Sequence, residues 1–164
     1  MLKLFGAVVI VFTFGLWGVS KSERLKKRRD SLNLTISSLN LLENEIDFSQ
    51  KDIASALLSV GNMGNMPLFT EAAKLLKNST VQNAFIDALK SSDMCFSRSD
   101  RDIFQDFSQS LGSLGKEAQI KSILRAKELF CESYSYACED YGKYGRLYRN
   151  MGFLLGILVA IILF

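Results

Sequence analysis

The chain has 164 residues, 48% of them hydrophobic, with a formal net charge of +3, three cysteines, one proline and no histidine. Without histidine, no Ser–His or Cys–His catalytic pair and no HExxH metal site can form. Three cysteines alone do not supply the usual zinc-ligand spacing. We therefore expect no catalytic, metal or cofactor site and a protein that is not an enzyme.

An uncharged segment of seventeen residues opens the chain, at residues 4–20. That length meets the lower limit for a membrane-spanning helix, roughly 17 residues. Six basic residues follow at once: Lys21, Arg24, Lys26, Lys27, Arg28 and Arg29. Such a cluster stays on the cytoplasmic side. This favours a transmembrane helix over residues 1–20, with a cleaved signal peptide as the alternative.

The pattern beyond this segment is helical. We expect the first helix to continue to about Phe48, because Leu25, Leu32, Leu39 and Ile46 recur every seven residues and form a helix seam. Short helices are predicted at residues 51–60, 67–77, 80–90 and 100–111. Gly61 would stop the first, and GNMGNM would form a loop after it. Ser79 with Gln82 would cap the third, and Ser99 and Gly112 would begin and end the fourth. They would form a small bundle over residues 50–112.

The last helix is predicted to run from about Lys116 into an uncharged tail at residues 150–164. Its inner stripe begins with Ile120 and Leu124, ends with Gly152 and Leu155, and has as its seam Cys131, Tyr134, Cys138, Tyr141, Gly145 and Tyr148. The tail is about 22 Å long against a hydrocarbon core of about 30 Å. The flanking cations Lys143, Arg146 and Arg149 can snorkel, which favours a spanning tail over a half-inserted one.

Small residues recur in this tail at Gly152, Gly156 and Ala160, the spacing of a membrane helix-packing face. We expect this face to pack on the N-terminal helix, with contact to a second subunit as the alternative. The predicted fold is all-α, with two long antiparallel helices continuing into membrane anchors at both chain ends. Residues 21–149 would be cytoplasmic and both termini outside.

Charge is divided along the chain. Residues 30–140 hold 16 acidic against 10 basic side chains, while the cations at residues 21–29 and 143–149 form a basic collar beside the membrane. Anionic lipid attracts such cations at roughly 1 kcal/mol each. One short basic run beside a membrane helix does not indicate nucleic-acid binding.

Three stretches resemble the stage III sporulation protein AB family. They are LNLLENEI at residues 39–46, FSQSLG with KEAQIKSI within residues 107–123, and YGRLYRNMGFLLG at residues 144–156. The opening MLKLFGAVVIV is similar too. The chain departs from the pattern by repeating the Tyr-Gly step at Tyr141 and Tyr144, and its residues 49–96 match by pattern only.

The resemblance implies an inner-membrane platform subunit of a transenvelope complex between mother cell and forespore. It also implies a cytoplasmic domain similar to that of the platform proteins of type II secretion and type IV pilus machines. The expected partners are a secretion-type ATPase encoded in the same operon and other membrane subunits, with further copies of the chain as an alternative. We predict that the acidic face with Asp100, Asp102 and Asp106 contacts the ATPase. The alternative is a membrane-surface scaffold or signalling adaptor without ATPase contact.

Overall fold

A computed structural model describes residues 2–48, 52–111 and 115–163. Within these ranges the chain forms six helices and no strand: α1 Leu2–Phe48, α2 Ile53–Met63, α3 Pro67–Leu75, α4 Val81–Ser91, α5 Arg98–Ser110 and α6 Lys116–Leu163. The predicted all-α fold, with a long helix at each end and four short helices between, is confirmed.

The chain divides into two compact units. The helix-pair unit contains Met1–Arg29 and Ser135–Phe164, and the bundle unit contains Asp30–Tyr134. The bundle unit is larger than the predicted bundle of residues 50–112, because the inner parts of α1 and α6 supply some of its core. The predicted boundaries after residues 20 and 149 concern the membrane surface and stay predictions.

Phenylalanine rings fill the core of the bundle unit. The short helices pack in chain order, α2 on α3, α3 on α4 and α4 on α5. The ring centre of Phe85 lies 5.8 Å from those of Phe69 and Phe107, and 6.5 Å from that of Phe104. Phe104 in turn lies 4.6 Å from Phe130 of α6. Such aromatic pairs stabilise a core by about 0.5–1.5 kcal/mol each beyond their buried area.

The long helices run antiparallel within the bundle unit. Lys127 Nζ of α6 lies 3.0 Å from Glu43 Oε2 of α1, and Lys116 Nζ lies 3.1 Å from Asp47 Oδ1. The face of α1 between these contacts and residue 30 is buried, and it includes polar residues beside the predicted leucines: Ser31, Leu32, Thr35, Ser38, Leu39 and Leu42. The outer seam positions Leu25 and Ile46 are half-buried.

The buried face of α6 has a slightly longer repeat than the predicted seam, whose alternating steps of three and four residues give a spacing of seven. Its buried positions are Ile123, Ala126, Phe130, Ala137, Gly145, Gly152 and Gly156. In the middle of the predicted seam, Tyr134, Cys138, Tyr141 and Tyr148 are half-buried and Gly145 is buried. The ends are wrong, because Leu124, Cys131 and Leu155 are exposed. A straight α-helix drifts by about 20° per heptad from a seven-residue repeat.

Two predicted helix caps are off by one or two residues. Thr80, rather than Ser79, caps α4, and its Oγ1 accepts the Asn83 N–H at 3.4 Å. Ser97, rather than Ser99, caps α5. Helix α3 also ends at Leu75, before the predicted residue 77. The predicted start at Lys51 and stop at Gly112 lie outside the described residues.

Gly61 has a packing role instead of the predicted helix-stopping role. It lies inside α2, which continues to Met63, so only Gly64, Asn65 and Met66 of the predicted GNMGNM loop connect α2 to α3. A Cβ on Gly61 would lie 2.5 Å from Thr70 Oγ1 and 2.7 Å from Thr70 N. The absence of a side chain therefore lets α3 approach the backbone of α2.

We predict that Gly61→Ala destabilises the bundle unit, because the added methyl group overlaps the backbone of α3. Overpacking of this kind costs about 1–3 kcal/mol. The measurement is the free energy of unfolding of the full chain in detergent, from urea titration followed by circular dichroism. Asn62→Ala, at an exposed neighbouring position, is the control and should stay within about 0.5 kcal/mol of the parent. Equal stability of all three proteins would contradict the packing role.

Candidate membrane and partner surfaces

The helix-pair unit is built on backbone contact between two glycines. A Cβ on Gly18 of α1 would lie 2.5 Å from Tyr148 O and 3.1 Å from the Cα of Gly152. Conversely, a Cβ on Gly152 would lie 2.7 Å from Phe14 O and 3.0 Å from the Cα of Gly18. Glycines allow two helices to approach this closely, and they are enriched where membrane helices pack.

The predicted small-residue face of α6 therefore packs within the chain. Gly152 meets Gly18, and a Cβ on Gly156 would lie 2.8 Å from the Cα of Val11. The third member, Ala160, is half-buried. The structure thus places the two glycines against α1, which is the packing that the sequence favours over contact with a second subunit.

Many large apolar side chains of this unit are exposed. Those of α1 that are exposed include Val9, Phe12, Leu16 and Trp17, and those of α6 include Met151, Phe153, Leu154, Ile157, Leu158, Ile161 and Ile162. Among the described residues, one helix, Lys116–Ile162, is long and apolar enough to cross a membrane, and 17% of its apolar window is buried. The anchor predicted over residues 1–20 is not among the helices that meet this test and stays a prediction; Met1, and Phe164 of the tail, lie outside the described residues.

Several cations of the basic collar have partners inside the helix-pair unit. Arg28 Nη1 lies 3.9 Å from Asp140 Oδ2, and the Arg29 guanidinium lies 4.8 Å from the centre of the Tyr141 ring. Lys143 donates a hydrogen bond to the Glu139 carboxylate. That hydrogen bond and the attraction between the charges lower the pKa of Glu139 and raise the pKa of Lys143.

The remaining collar cations lie on the surface. Lys21 Nζ lies 5.7 Å from the centre of the Trp17 ring, within the range of a cation–π contact. The other exposed members are Arg24, Lys26, Lys27, Arg146 and Arg149. Long basic side chains beside an exposed apolar surface are suited to anionic lipid headgroups.

The predicted partner face in the bundle unit needs one correction. Asp100 is fully buried. Its carboxylate accepts the Ser97 N–H at 2.7 Å, while its own N–H donates to Ser97 Oγ at 3.1 Å, which completes a capping box. Asp100 is therefore a structural residue, and the expectation that it lies on the partner face is wrong. Asp102 and Asp106 are exposed.

A cavity of about 410 Å³ between α5 and α6 lies beside Asp106. Phe107 and Leu129 line it, and Lys121 and Arg125 stand at its wall. Sequence reasoning missed this cavity, because its residues come from two helices and no single periodic pattern joins them. No cluster of three potential metal ligands occurs among the described residues.

We predict that Gly152→Val separates the two helices of the helix-pair unit, because the added side chain would occupy the space of Phe14 O and the Gly18 Cα. The expected loss is about 1–3 kcal/mol, measured as a lower midpoint when the detergent-solubilised full chain is unfolded with sodium dodecyl sulfate. The control is Gly142→Ala, where an added Cβ meets nothing within 4 Å. It should be neutral or stabilising by up to about 1 kcal/mol. A parental midpoint for Gly152→Val would contradict the contact.

The chain is similar to a known protein in fold and to a known family in sequence. A solved structure described as "Stage III sporulation protein AB (SpoIIIAB)" is similar, with a TM-score of 0.62 and 19% sequence identity over 70% of this chain and 96% of that chain. At this identity the similarity concerns the fold alone. No curated protein sequence matches. The sequence profile of the family described as Stage III sporulation protein AB (spore_III_AB) matches residues 3–164. Because this match spans nearly the whole sequence, the chain belongs to the stage III sporulation protein AB family.

Proposed function

We propose that this sporulation protein is a non-enzymatic platform subunit of a transenvelope, secretion-like complex between mother cell and forespore. It would lie in the mother-cell membrane that faces the forespore. There it would couple a cytoplasmic secretion-type ATPase, encoded in the same operon, to other membrane subunits. Family membership supports the process, and the geometry of the helix-pair unit supports the membrane location.

The observation that carries the proposal is where the helix-pair unit places its small and large side chains: glycines form the contact, and large apolar side chains are exposed. In water, paired helices bury their large apolar side chains and expose polar ones. Here the contact is made by Gly18 and Gly152, while Phe12, Leu154 and Ile161 are 66%, 65% and 73% exposed. This arrangement is stable where the surrounding solvent is itself apolar, since lipid tails solvate large apolar side chains as well as a protein core does.

The basic collar supports one orientation. The cations lie after the apolar part of α1 and before the apolar part of α6, so both helices carry them on the same side. By the positive-inside rule that side is cytoplasmic. Residues 21–149 would then face the cytoplasm, and both ends of the helix pair would face the opposite compartment.

The exposed acidic residues of α5 support a surface for the ATPase. Asp102 and Asp106 are four residues apart on one helix, and both are exposed. A basic patch on a partner would complement them, which favours fast and specific association. Asp100 takes no part in this surface because it is buried in the cap of α5.

We predict that Cys131 is protected from a membrane-impermeant maleimide in intact, non-sporulating cells that express the chain, where the membrane separates the cytoplasm directly from the medium. Cys131 is the exposed cysteine of the bundle unit and gives the reporter, with Cys95 and Cys138 replaced by serine. A cysteine at position 2 should be labelled in intact cells, because that end would lie outside. Permeabilised cells are the control, where Cys131 should react fully. Labelling of Cys131 without permeabilisation would place the domain outside and overturn the cytoplasmic ATPase contact.

We also predict that the double variant Asp102→Lys, Asp106→Lys retains about tenfold less ATPase in a pull-down with the full chain in detergent, equivalent to about 1.4 kcal/mol. Repulsion between the new lysines and a basic partner surface gives the loss. The matched control is Glu128→Lys, Glu132→Lys, which reverses two exposed charges at the same spacing on α6 and should bind normally.

Two results would contradict the ATPase proposal in different ways. Equal binding by the α5 and α6 variants would exclude the α5 surface as the contact. Absence of ATPase from the parent pull-down would favour the membrane-surface scaffold instead. In that case the protein should bind anionic vesicles with an affinity that falls as salt screens the basic collar.

A further inference from the structure

A cleft opens between α1 and α6 in the helix-pair unit. Its volume is about 310 Å³, and the residues that line it are Ser22, Tyr141, Gly142, Gly145, Arg146 and Arg149. The two glycines make the space. A Cβ on Gly142 would meet nothing within 4 Å, and one on Gly145 would lie 3.5 Å from Ser22 Oγ. The cleft therefore lies where two positions of α6 lack side chains, one in open space and one between the Tyr141 ring and Ser22.

The lining of the cleft has the chemistry of a phosphate site. Arg146 and Arg149 supply two guanidinium groups, whose planar forks match phosphate oxygens. Ser22 and Tyr141 supply hydroxyl groups, which can donate hydrogen bonds to an anion. The charged residues that line the cleft are both arginines. No acidic residue follows Asp140 in the sequence.

The acidic residues nearest to the cleft do not neutralise these arginines. Glu139 is hydrogen-bonded by Lys143, and Asp140 lies beside Arg28. Glu23 follows Ser22 on α1 and is exposed; adjacent residues on a helix point about 100° apart, so it does not share the direction of Ser22. The local balance of charge at the cleft is therefore positive.

The position of the cleft along the helices decides between possible anions. Arg149 immediately precedes the uncharged segment of α6, and Ser22 lies two residues after the uncharged segment of α1. If the helix pair spans the bilayer, as the proposed function requires, this is the level of the lipid phosphates. We propose that the cleft binds the phosphate of an anionic lipid headgroup, whose acyl chains lie along the exposed apolar surface of the helix pair. This inference rests on the proposed function and gives its membrane contact a defined site.

Trp17 provides the test, because it is the only tryptophan in the chain. It is 53% exposed and lies five residues before Ser22, which is about 7.5 Å along the axis of α1. The full chain is reconstituted into phosphatidylcholine vesicles, and Trp17 fluorescence is titrated with brominated phosphatidylglycerol or with brominated phosphatidylcholine. We expect the anionic lipid to quench with an apparent affinity at least about fivefold higher, as one favourable arginine contact would give.

Two variants test whether the cleft causes this preference. Arg146→Gln with Arg149→Gln should bring the ratio of affinities to about one. Gly142→Leu keeps every charge and fills the cleft, so it should also abolish the preference, and it decides the question if the arginine variant fails to insert. The matched control is Lys26→Gln with Lys27→Gln, which removes two exposed collar charges outside the cleft and should keep most of the preference.

The outcomes separate the inference from the proposed function. Equal quenching of the parent by the two lipids shows an inserted helix pair without the site, and equal loss in the cleft and control variants shows general attraction by the collar; either result overturns the inference. Absence of quenching by both lipids would overturn the proposed membrane location. The same titration in inorganic phosphate, at matched ionic strength, should leave the preference unchanged. Its loss there would make soluble phosphate the ligand and would overturn the lipid assignment.

Discussion

The close approach of two backbones at Gly18 and Gly152 constrains the rest of the helix-pair unit. Because neither residue has a side chain, the contact is made by main-chain atoms, and a Cβ at either position would lie about 3 Å from the Cα of the other. Larger side chains are accommodated beside this contact, as where the Phe153 ring lies against Gly15, or are exposed on the outside of the pair. Glycines thus make the contact of the pair, while Phe12, Leu154 and Ile161 remain exposed.

Electrostatics adds direction to this arrangement. The last acidic residues of α6, Glu139 and Asp140, are held by Lys143 and Arg28. Beyond them every charged residue of α6 is basic. Along α6, charged residues that have partners are therefore followed within a few turns by an uncharged apolar segment. Arg146 and Arg149 lie between these two parts. In a bilayer, deeper insertion of such a surface would move the arginines into the hydrocarbon, so the charge pattern favours one depth of insertion.

The sequence predicted the long helices well because each is a sustained periodic run without proline, and periodicity over many turns is a strong signal. It failed where tertiary contact decides. Gly61 reads as a helix stop, yet α3 needs its missing side chain. Ser31, Thr35 and Ser38 lie beside the predicted leucines and are buried although they are polar, which the leucine pattern does not predict. A seven-residue repeat extended along α6 predicts that Cys131 is buried, but a straight α-helix does not follow that repeat and Cys131 is exposed. The sequence does contain a signal against placing Asp100 on the partner face, because Ser97 lies three residues before it with the spacing of a capping box. Neither the cleft at Arg146 nor the cavity beside Asp106 could be read from one helix alone.

The glycine contact also fixes how the two helices can move. Sliding α1 by one turn, about 5.4 Å, would bring Phe14 to the level of Gly18 and put a benzyl group where two backbones now touch. The same slide of α6 would bring Tyr148 to the level of Gly152. Slip in this direction is therefore opposed sterically, whereas the opposite slide of α6 would bring Gly156, which also lacks a side chain, to the level of Gly152. The glycine contact therefore resists sliding of the two helices more strongly in one direction than in the other.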